Sequence, residues 1–129
     1  MNSRERWLHA SYWLGAIVDA LAALAMLDQA VFGRKSPLSD YVPEVPYRYA
    51  MGLAGSLMLG WTLLLLWADR QPIERKGILV ITNVVVVGLF LSGVYASYEG
   101  LVPISRMAFL LCLQLGLVIL FTVSYFRGK

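Results

Sequence analysis

Cysteine and histidine are almost missing from this sequence of 129 residues, which has one of each, Cys112 and His9. One cysteine excludes an internal disulfide and any redox mechanism that needs a pair of thiols. One histidine excludes a haem held by two histidines of the same chain and a metal site built on a histidine cluster. The sequence also has no P-loop, nucleophile elbow, HExxH or CxxC motif. We therefore expect no cofactor, no metal site and no catalytic residue, and an enzyme is the less favoured class.

Charged residues are also scarce, at 15% of the chain, against about 25% in soluble domains. The letters AVILMFWYC make up 59%, and the mean hydropathy is +0.67. A soluble domain of this size leaves much of its surface in water and cannot hide so much apolar area. The composition excludes a soluble globule, a disordered chain and, despite a pI near 9.2, a nucleic-acid-binding module. It predicts a membrane protein whose first partner is the lipid bilayer.

Four apolar segments are long enough to cross a bilayer, which takes about 20 residues of helix. They run over residues 11–32, 49–68, 77–98 and 107–126. The third contains ITNVVVVGLF, a β-branched run typical of a buried strand in a soluble protein, but its length between charged flanks favours a helix in lipid. Because the links are short, we predict one all-α integral membrane domain over residues 1–129, an antiparallel up-down-up-down bundle of four transmembrane helices.

The basic residues predict how this bundle is oriented, because cytoplasmic loops of membrane proteins are enriched in Lys and Arg. The two termini and the second link share one side and hold seven of them, while the first and third links hold four. We therefore predict an integral protein of the cell (inner) membrane with both termini in the cytoplasm. Arg70, Arg75 and Lys76 of the second link are the expected topology anchors, and a lipid-headgroup site is the alternative.

Two acidic residues, Asp19 and Asp28, lie inside the first predicted span. An ionised Asp at mid-membrane costs about 2.5–3.5 kcal/mol, so such residues usually face the protein interior or water. Asp28 is near the span end and can reach the interface, whereas Asp19 is near the midplane. Their sequence separation places them on opposite sides of the helix and about 13 Å apart along its axis. This spacing excludes a carboxylate pair or a shared metal ion on one face.

Polar residues of the other three spans lie at depths similar to that of Asp19. They are Trp61 and Thr62 of the second span, Asn83 of the third and Gln114 of the fourth. Their donors can together satisfy one carboxyl group. The functional hypothesis is that these five residues form a ligand or proton site. The alternative is that they hydrogen-bond between helices and hold the bundle together.

Small residues recur every four positions on the first two spans, a pattern that lets helix backbones approach closely. The pattern is common in membrane helices and supports packing more than any activity. We expect the first span to pack tightly on the second, with Asp19 in the seam. The residues predicted to make this contact are Gly15, Ala16, Ala20, Ala23, Gly52, Gly55, Ser56 and Gly60.

Three classes of function stay open at this point. The most concrete is a small transporter or channel-like protein with Asp19 as its coupling carboxyl, for which a homo-oligomer would supply the room that four short-linked spans lack. The alternative is a non-catalytic interaction or assembly subunit that packs against another membrane protein through its small-residue faces. The third is a membrane enzyme acting on lipid, for which the second link offers only Asp69, Glu74 and their basic neighbours.

Overall fold

The computed structural model describes residues 2–129, which form four α-helices. They are α1 (Ser3–Phe32), α2 (Val45–Asp69), α3 (Gly77–Tyr98) and α4 (Ile104–Arg127). No strand occurs in this range. Each helix is long and apolar enough to cross a membrane. The predicted all-helical fold with four such helices is thereby confirmed, including the β-branched third segment.

The helix ends follow local capping chemistry rather than hydropathy. Helix α1 begins at Ser3, well before the first apolar run, and the carboxylate of Glu5 accepts a hydrogen bond from the backbone N–H of Asn2 at 3.3 Å. It ends at Phe32 and is capped by Gly33, whose φ of 62° lies in the left-handed region that favours glycine and whose N–H is bonded to Gln29 O at 3.0 Å. Helix α2 also starts ahead of its predicted span, with a proline in the first turn, where the missing N–H costs nothing.

The helices pair unequally. Helix α1 packs mainly against α2 and α3 mainly against α4, while fewer contacts join α1 to α4. A Cβ added at Gly55 of α2 would lie 2.8 Å from Leu27 Cγ of α1, so this part of the α1–α2 seam is very close. Between α1 and α4, the hydroxyls of Ser11 and Ser124 are 2.6 Å apart. The molecule is thus two helix pairs, α1 with α2 and α3 with α4, joined along α1 and α4.

The interior is packed most completely at one end of the molecule. We call this the terminal end, because Arg4 Nη1 donates to Lys129 O and Lys76 Nζ donates to Gly128 O, which brings both termini and the second link together. The most deeply buried core side chains lie at the terminal end or extend from it toward the middle of the bundle. They are Leu8, Tyr12, Ala16, Leu65, Ala68, Leu79, Val86, Leu117 and Phe121.

The opposite end, which we call the link end, is covered by the first link. Ser39 Oγ donates to Leu101 O at 2.9 Å, and Arg106 Nη1 lies 3.3 Å from Asp40 Oδ1. Val102 is buried beneath this contact. The first and third links therefore close over one another at the far side of the molecule from the termini.

The outward faces of the helices are apolar. Leu21 of α1, Leu57 of α2, Val84 of α3 and Ile119 of α4 are 63–74% exposed. The apolar area that these side chains expose is larger than the continuous apolar patches found on soluble monomers. The low charge content of the sequence therefore reflects the apolar exterior of the bundle.

The small residues fall into two groups. Gly15, Ala16, Ala23 and Gly55 are buried between helices, and Ala20 and Gly52 are partly buried. Ser56 and Gly60 instead face outward: the hydroxyl of Ser56 bonds back to its own helix, and nothing lies within 4 Å of a Cβ added at Gly60. One face of α2 packs on α1, and the other small positions of the same helix remain uncovered.

Candidate functional site

A cavity of about 180 Å³ lies between the four helices, at the level where the packed core ends. Helices α1 and α4 supply most of its wall, and α2 and α3 supply the rest. Two polar side chains line it, Asp19 and Gln114, beside nine apolar ones that include Met26 and Met58. Larger hollows exist at the surface, but they are more open: two are lined by α1 alone, and one lies between the end of α1 and the first turns of α2.

Asp19 projects from α1 into this cavity. Only 8% of the residue is exposed. No side chain or backbone group of residues 2–129 donates a hydrogen bond to its carboxylate, and no ion pair in that range includes it. A carboxylate removed from water without a donor or a counter-charge is costly. Asp19 is thus a buried acceptor with free hydrogen-bonding capacity.

Gln114 of α4 faces the same space. The residue is 9% exposed, and its Oε1 is buried with no hydrogen-bond partner among the described residues. Buried polar atoms in folded proteins are almost always paired, so an unpaired one calls for an explanation. The cavity therefore contains two acceptor groups, one of them a carboxylate, within an otherwise apolar wall.

The other three residues of the predicted polar layer bond elsewhere, although Asn83 Oδ1 is also buried without a partner among the described residues. Trp61 Nε1 donates to Thr82 Oγ1 at 3.2 Å and joins α2 to α3, and Asn83 Nδ2 donates to Thr122 Oγ1 at 3.0 Å and joins α3 to α4. Thr62 is buried and bonds to Met58 O of its own helix. The structure brings Asp19 and Gln114 to one cavity, while these three side chains bond along or between helices.

Sequence reasoning missed the two threonine acceptors, Thr82 and Thr122. Each hydroxyl also donates to the carbonyl four residues earlier, at 2.7 Å. A threonine bonded in this way is ordinary in a membrane helix and gives no signal in the sequence. Only the rotation of the helices shows that these hydroxyls also receive a donor from a neighbour.

A second polar cluster at the terminal end was also missed. Asp69 is paired with His9 Nδ1 and accepts a hydrogen bond from Trp13 Nε1 at 3.0 Å. The Tyr12 hydroxyl reaches Pro72 O at 3.4 Å. The sequence showed these residues only as span ends, because a helix of 30 residues was needed to bring His9 level with Asp69. The cluster ties α1 to the second link and closes the bundle at this end.

The three expected topology anchors lie at the same end. Arg75 Nη1 donates to Trp67 O, and its guanidinium lies 3.5 Å from the centre of the Trp67 ring. Lys76 bonds to Gly128 O, and Arg70 is exposed. Asp28, the second acid of α1, is ion-paired with Arg34 at 3.3 Å near the link end. Only Asp19 among the acids of α1 is buried in the bundle.

Comparison of the chain with protein-family models, with curated proteins and with solved structures finds no match in any of the three. The site therefore has to be interpreted from its own chemistry: an apolar cavity, one carboxylate and one amide oxygen.

Proposed function

We propose that this chain is a small transport protein of the cell membrane that takes up a cation at Asp19, in the centre of an antiparallel up-down bundle with both termini in the cytoplasm. Four observations support the proposal. They concern the exterior of the bundle, the pairing of its helices, the charges at its two ends and the cavity.

The exterior supports insertion in a bilayer. Exposed aliphatic side chains cover the helix faces, and every charged residue except Asp19 lies near a helix end or in a link. A lipid bilayer is a solvent in which such an apolar surface is stable. The helical backbone is also stable there, because its polar groups are hydrogen-bonded within the segment.

The contacts along the helices support the up-down order. Going along α1, His9 meets Asp69, Gly15 meets Leu65 and Leu27 meets Gly55, so the numbers rise on one helix and fall on the other. Helix α4 pairs with α1 in the same sense, through Ser124 near Ser11 and Phe121 near Gly15. Consecutive helices joined by short links pack in this way in four-helix bundles.

The charges support the orientation. The terminal end holds seven basic and three acidic residues, namely Arg4, Arg6, Arg70, Arg75, Lys76, Arg127 and Lys129 against Glu5, Asp69 and Glu74. At the link end basic and acidic residues are equal in number, namely Arg34, Lys35, Arg48 and Arg106 against Asp28, Asp40, Glu44 and Glu99. The larger number of Lys and Arg residues, seven against four, favours the cytoplasm for the terminal end.

The observation that carries the transport proposal is the unpaired carboxylate of Asp19 in the four-helix cavity. A charge at this depth is expensive, and acids placed there in membrane proteins commonly belong to ion or proton pathways. A bundle that only needed to hold together would be more stable with an apolar residue at this position. Asp19 is accordingly the group to which a proton or another cation would bind.

The test is ion flux in proteoliposomes that contain a pH-sensitive dye, under an imposed membrane potential. We expect the wild-type protein to raise the proton flux above that of empty liposomes. Asp19→Asn, which keeps the shape and removes the charge, should reduce the flux to the empty-liposome level. Asp28→Asn is the matched control on the same helix and should conduct like the wild type. Equal flux through the wild type and Asp19→Asn would contradict the proposal.

A second candidate function, assembly through helix faces, is favoured by the uncovered small residues of α2. Ser56 and Gly60 lie one turn apart on an outward face, where another helix could approach closely. We propose a second copy of this chain as the occupant. Gly60→Leu should then shift detergent-solubilised protein from dimer to monomer in light scattering, whereas Gly116→Leu, at an equally open position of α4, should not. A wild-type protein that is monomeric would exclude the second copy and leave another membrane protein as the partner.

A further inference from the structure

We infer that the cation bound at Asp19 is a primary or secondary ammonium ion that carries an apolar body about the size of a benzene ring. The inference deepens the proposed function, on which it rests for the role of Asp19 as the ligand site. It follows from the hydrogen-bonding groups of the cavity, from its size and from the side chains that are missing from its wall.

The hydrogen-bonding groups of the cavity specify a donor. The Asp19 carboxylate and the Gln114 Oε1 are both acceptors. Gln114 Oε1 is buried without a partner, and the Asp19 carboxylate takes part in no ion pair within residues 2–129. A ligand that satisfies both must present at least two N–H or O–H groups. Because one of the acceptors is a carboxylate, a positively charged donor forms the stronger, charge-assisted bond. An ammonium group with two or three N–H bonds meets both conditions.

The size and lining of the cavity specify the rest of the ligand. The volume is about 180 Å³, and a dry apolar cavity of about 150 Å³ is enough to hold benzene. Nine of the eleven lining side chains are apolar, and they come from all four helices. A bare ammonium ion would leave most of this wall without a neighbour. An apolar group of six or seven carbon atoms would fill it.

Two other classes of cation fit this wall poorly. Calcium takes six to eight oxygen ligands and magnesium six, whereas among the described residues only two side chains around the cavity offer oxygen. Quaternary ammonium groups have no N–H to donate and are typically held by aromatic rings. No aromatic side chain lines the cavity within the described part of the chain. The cavity therefore favours an ammonium ion that keeps its N–H bonds.

The test is calorimetric binding of benzylammonium to the purified full chain in lipid nanodiscs. Two probes of similar shape separate the contributions: benzyltrimethylammonium keeps the charge without N–H groups, and benzyl alcohol keeps a donor without the charge. We expect saturable binding of benzylammonium, with affinity at least about tenfold higher than for either analogue. Equal affinities for the three probes, or no saturable binding of benzylammonium, would overturn the inference.

Protein variants locate the binding. Asp19→Asn should weaken benzylammonium binding at least about tenfold, and Gln114→Met by a smaller factor, because a neutral acceptor forms the weaker bond. Asp28→Asn and Gln71→Met are the controls of matching chemistry outside the cavity and should bind like the wild type. Binding that is unchanged in Asp19→Asn would overturn the inference.

The outcome is distinguishable from that of the proposed function. Proton flux that depends on Asp19, without benzylammonium binding, would reject the ligand class and leave the transport proposal standing. Benzylammonium binding that depends on Asp19, in a protein that conducts no protons, would reject transport and leave the ligand site.

Discussion

The terminal end of the bundle and the cavity around Asp19 bury polar groups in opposite ways. At the terminal end Asp69 is paired with His9 and Trp13, Ser11 is paired with Ser124, and Leu8 and Phe121 are almost fully buried. About two helical turns away, Asp19 and Gln114 lie in an open cavity without partners.

This difference separates the polar residues that hold the structure together from those that are available to a ligand. A satisfied network makes the helices rigid and fixes their register. An unsatisfied acceptor costs stability and is expected where a ligand supplies the missing donor. If the molecule is divided in this way, substitutions in the two regions should differ in their effects on stability and on proton flux.

The largest effect is expected for Phe121→Ala at the terminal end. Phe121 is 1% exposed and lies against Gly15, so its removal leaves a void that the helices cannot close. We expect the free energy of unfolding to fall by about 3–5 kcal/mol in an SDS titration of the protein in mixed micelles. Phe109→Ala is the control, since Phe109 is 78% exposed on the same helix. A loss no larger than that of the control would mean that the terminal end is not the packed half.

A smaller loss is expected for Gly15→Ala, at the border between the two regions. The added Cβ would lie 3.0 Å from Phe121 Cζ and 3.1 Å from Leu65 Cδ1, so at least one side chain must move. We expect a loss of about 1–3 kcal/mol in the same titration. Gly116→Ala meets nothing within 4 Å and should be neutral or stabilising by up to about 1 kcal/mol through helix propensity. Similar values for the two variants would contradict the tight contact.

An effect of the opposite sign is expected for Asp19→Leu. The substitution removes a buried acceptor that lacks a partner and fills part of the cavity with an apolar side chain. We expect the unfolding free energy to rise by about 1–2 kcal/mol while proton flux is lost. Asp69→Leu is the comparison, since this carboxylate is paired with His9 and Trp13, and it should destabilise. A destabilised Asp19→Leu would show that Asp19 serves the structure after all.

The smallest effect is expected for Trp61→Phe, which keeps an aromatic ring and removes the hydrogen bond to Thr82. Interhelical hydrogen bonds in a membrane contribute about 0.6 kcal/mol on average, so the loss should be of that size. Trp61 does not line the cavity, and proton flux should be unchanged. A flux reduced as far as in Asp19→Asn would place Trp61 in the pathway. It would contradict the separation of structural residues from ligand-binding residues.

The sequence was sufficient to predict the four helices, but it was insufficient to predict how each helix is rotated about its axis. Span length decided even the β-branched third helix, because about 20 apolar residues have few other stable forms. Depth along the spans could group Asp19 with Trp61, Thr62, Asn83 and Gln114. It could not indicate that only Asp19 and Gln114 face one cavity.

Contacts between distant parts of the chain were also beyond the sequence. His9 reaches Asp69 because α1 extends to Ser3, and that extension depends on a polar first turn that hydropathy does not detect. The small residues of α2 looked alike in the sequence, yet Gly55 is pressed against Leu27 while Gly60 is open. Which side of a helix is covered depends on its neighbours, and no local pattern contains that information.

The most direct test of the account is a solid-state NMR distance in lipid bilayers, between the nitrogen of ¹⁵N-benzylammonium and the side-chain carboxyl carbon of ¹³C-labelled Asp19. We expect a dipolar coupling that corresponds to about 3.5 Å, as in a charge-assisted hydrogen bond, and its loss when benzyltrimethylammonium replaces the probe. The absence of a coupling at saturating benzylammonium would contradict the claim that Asp19 is the ligand site of this protein.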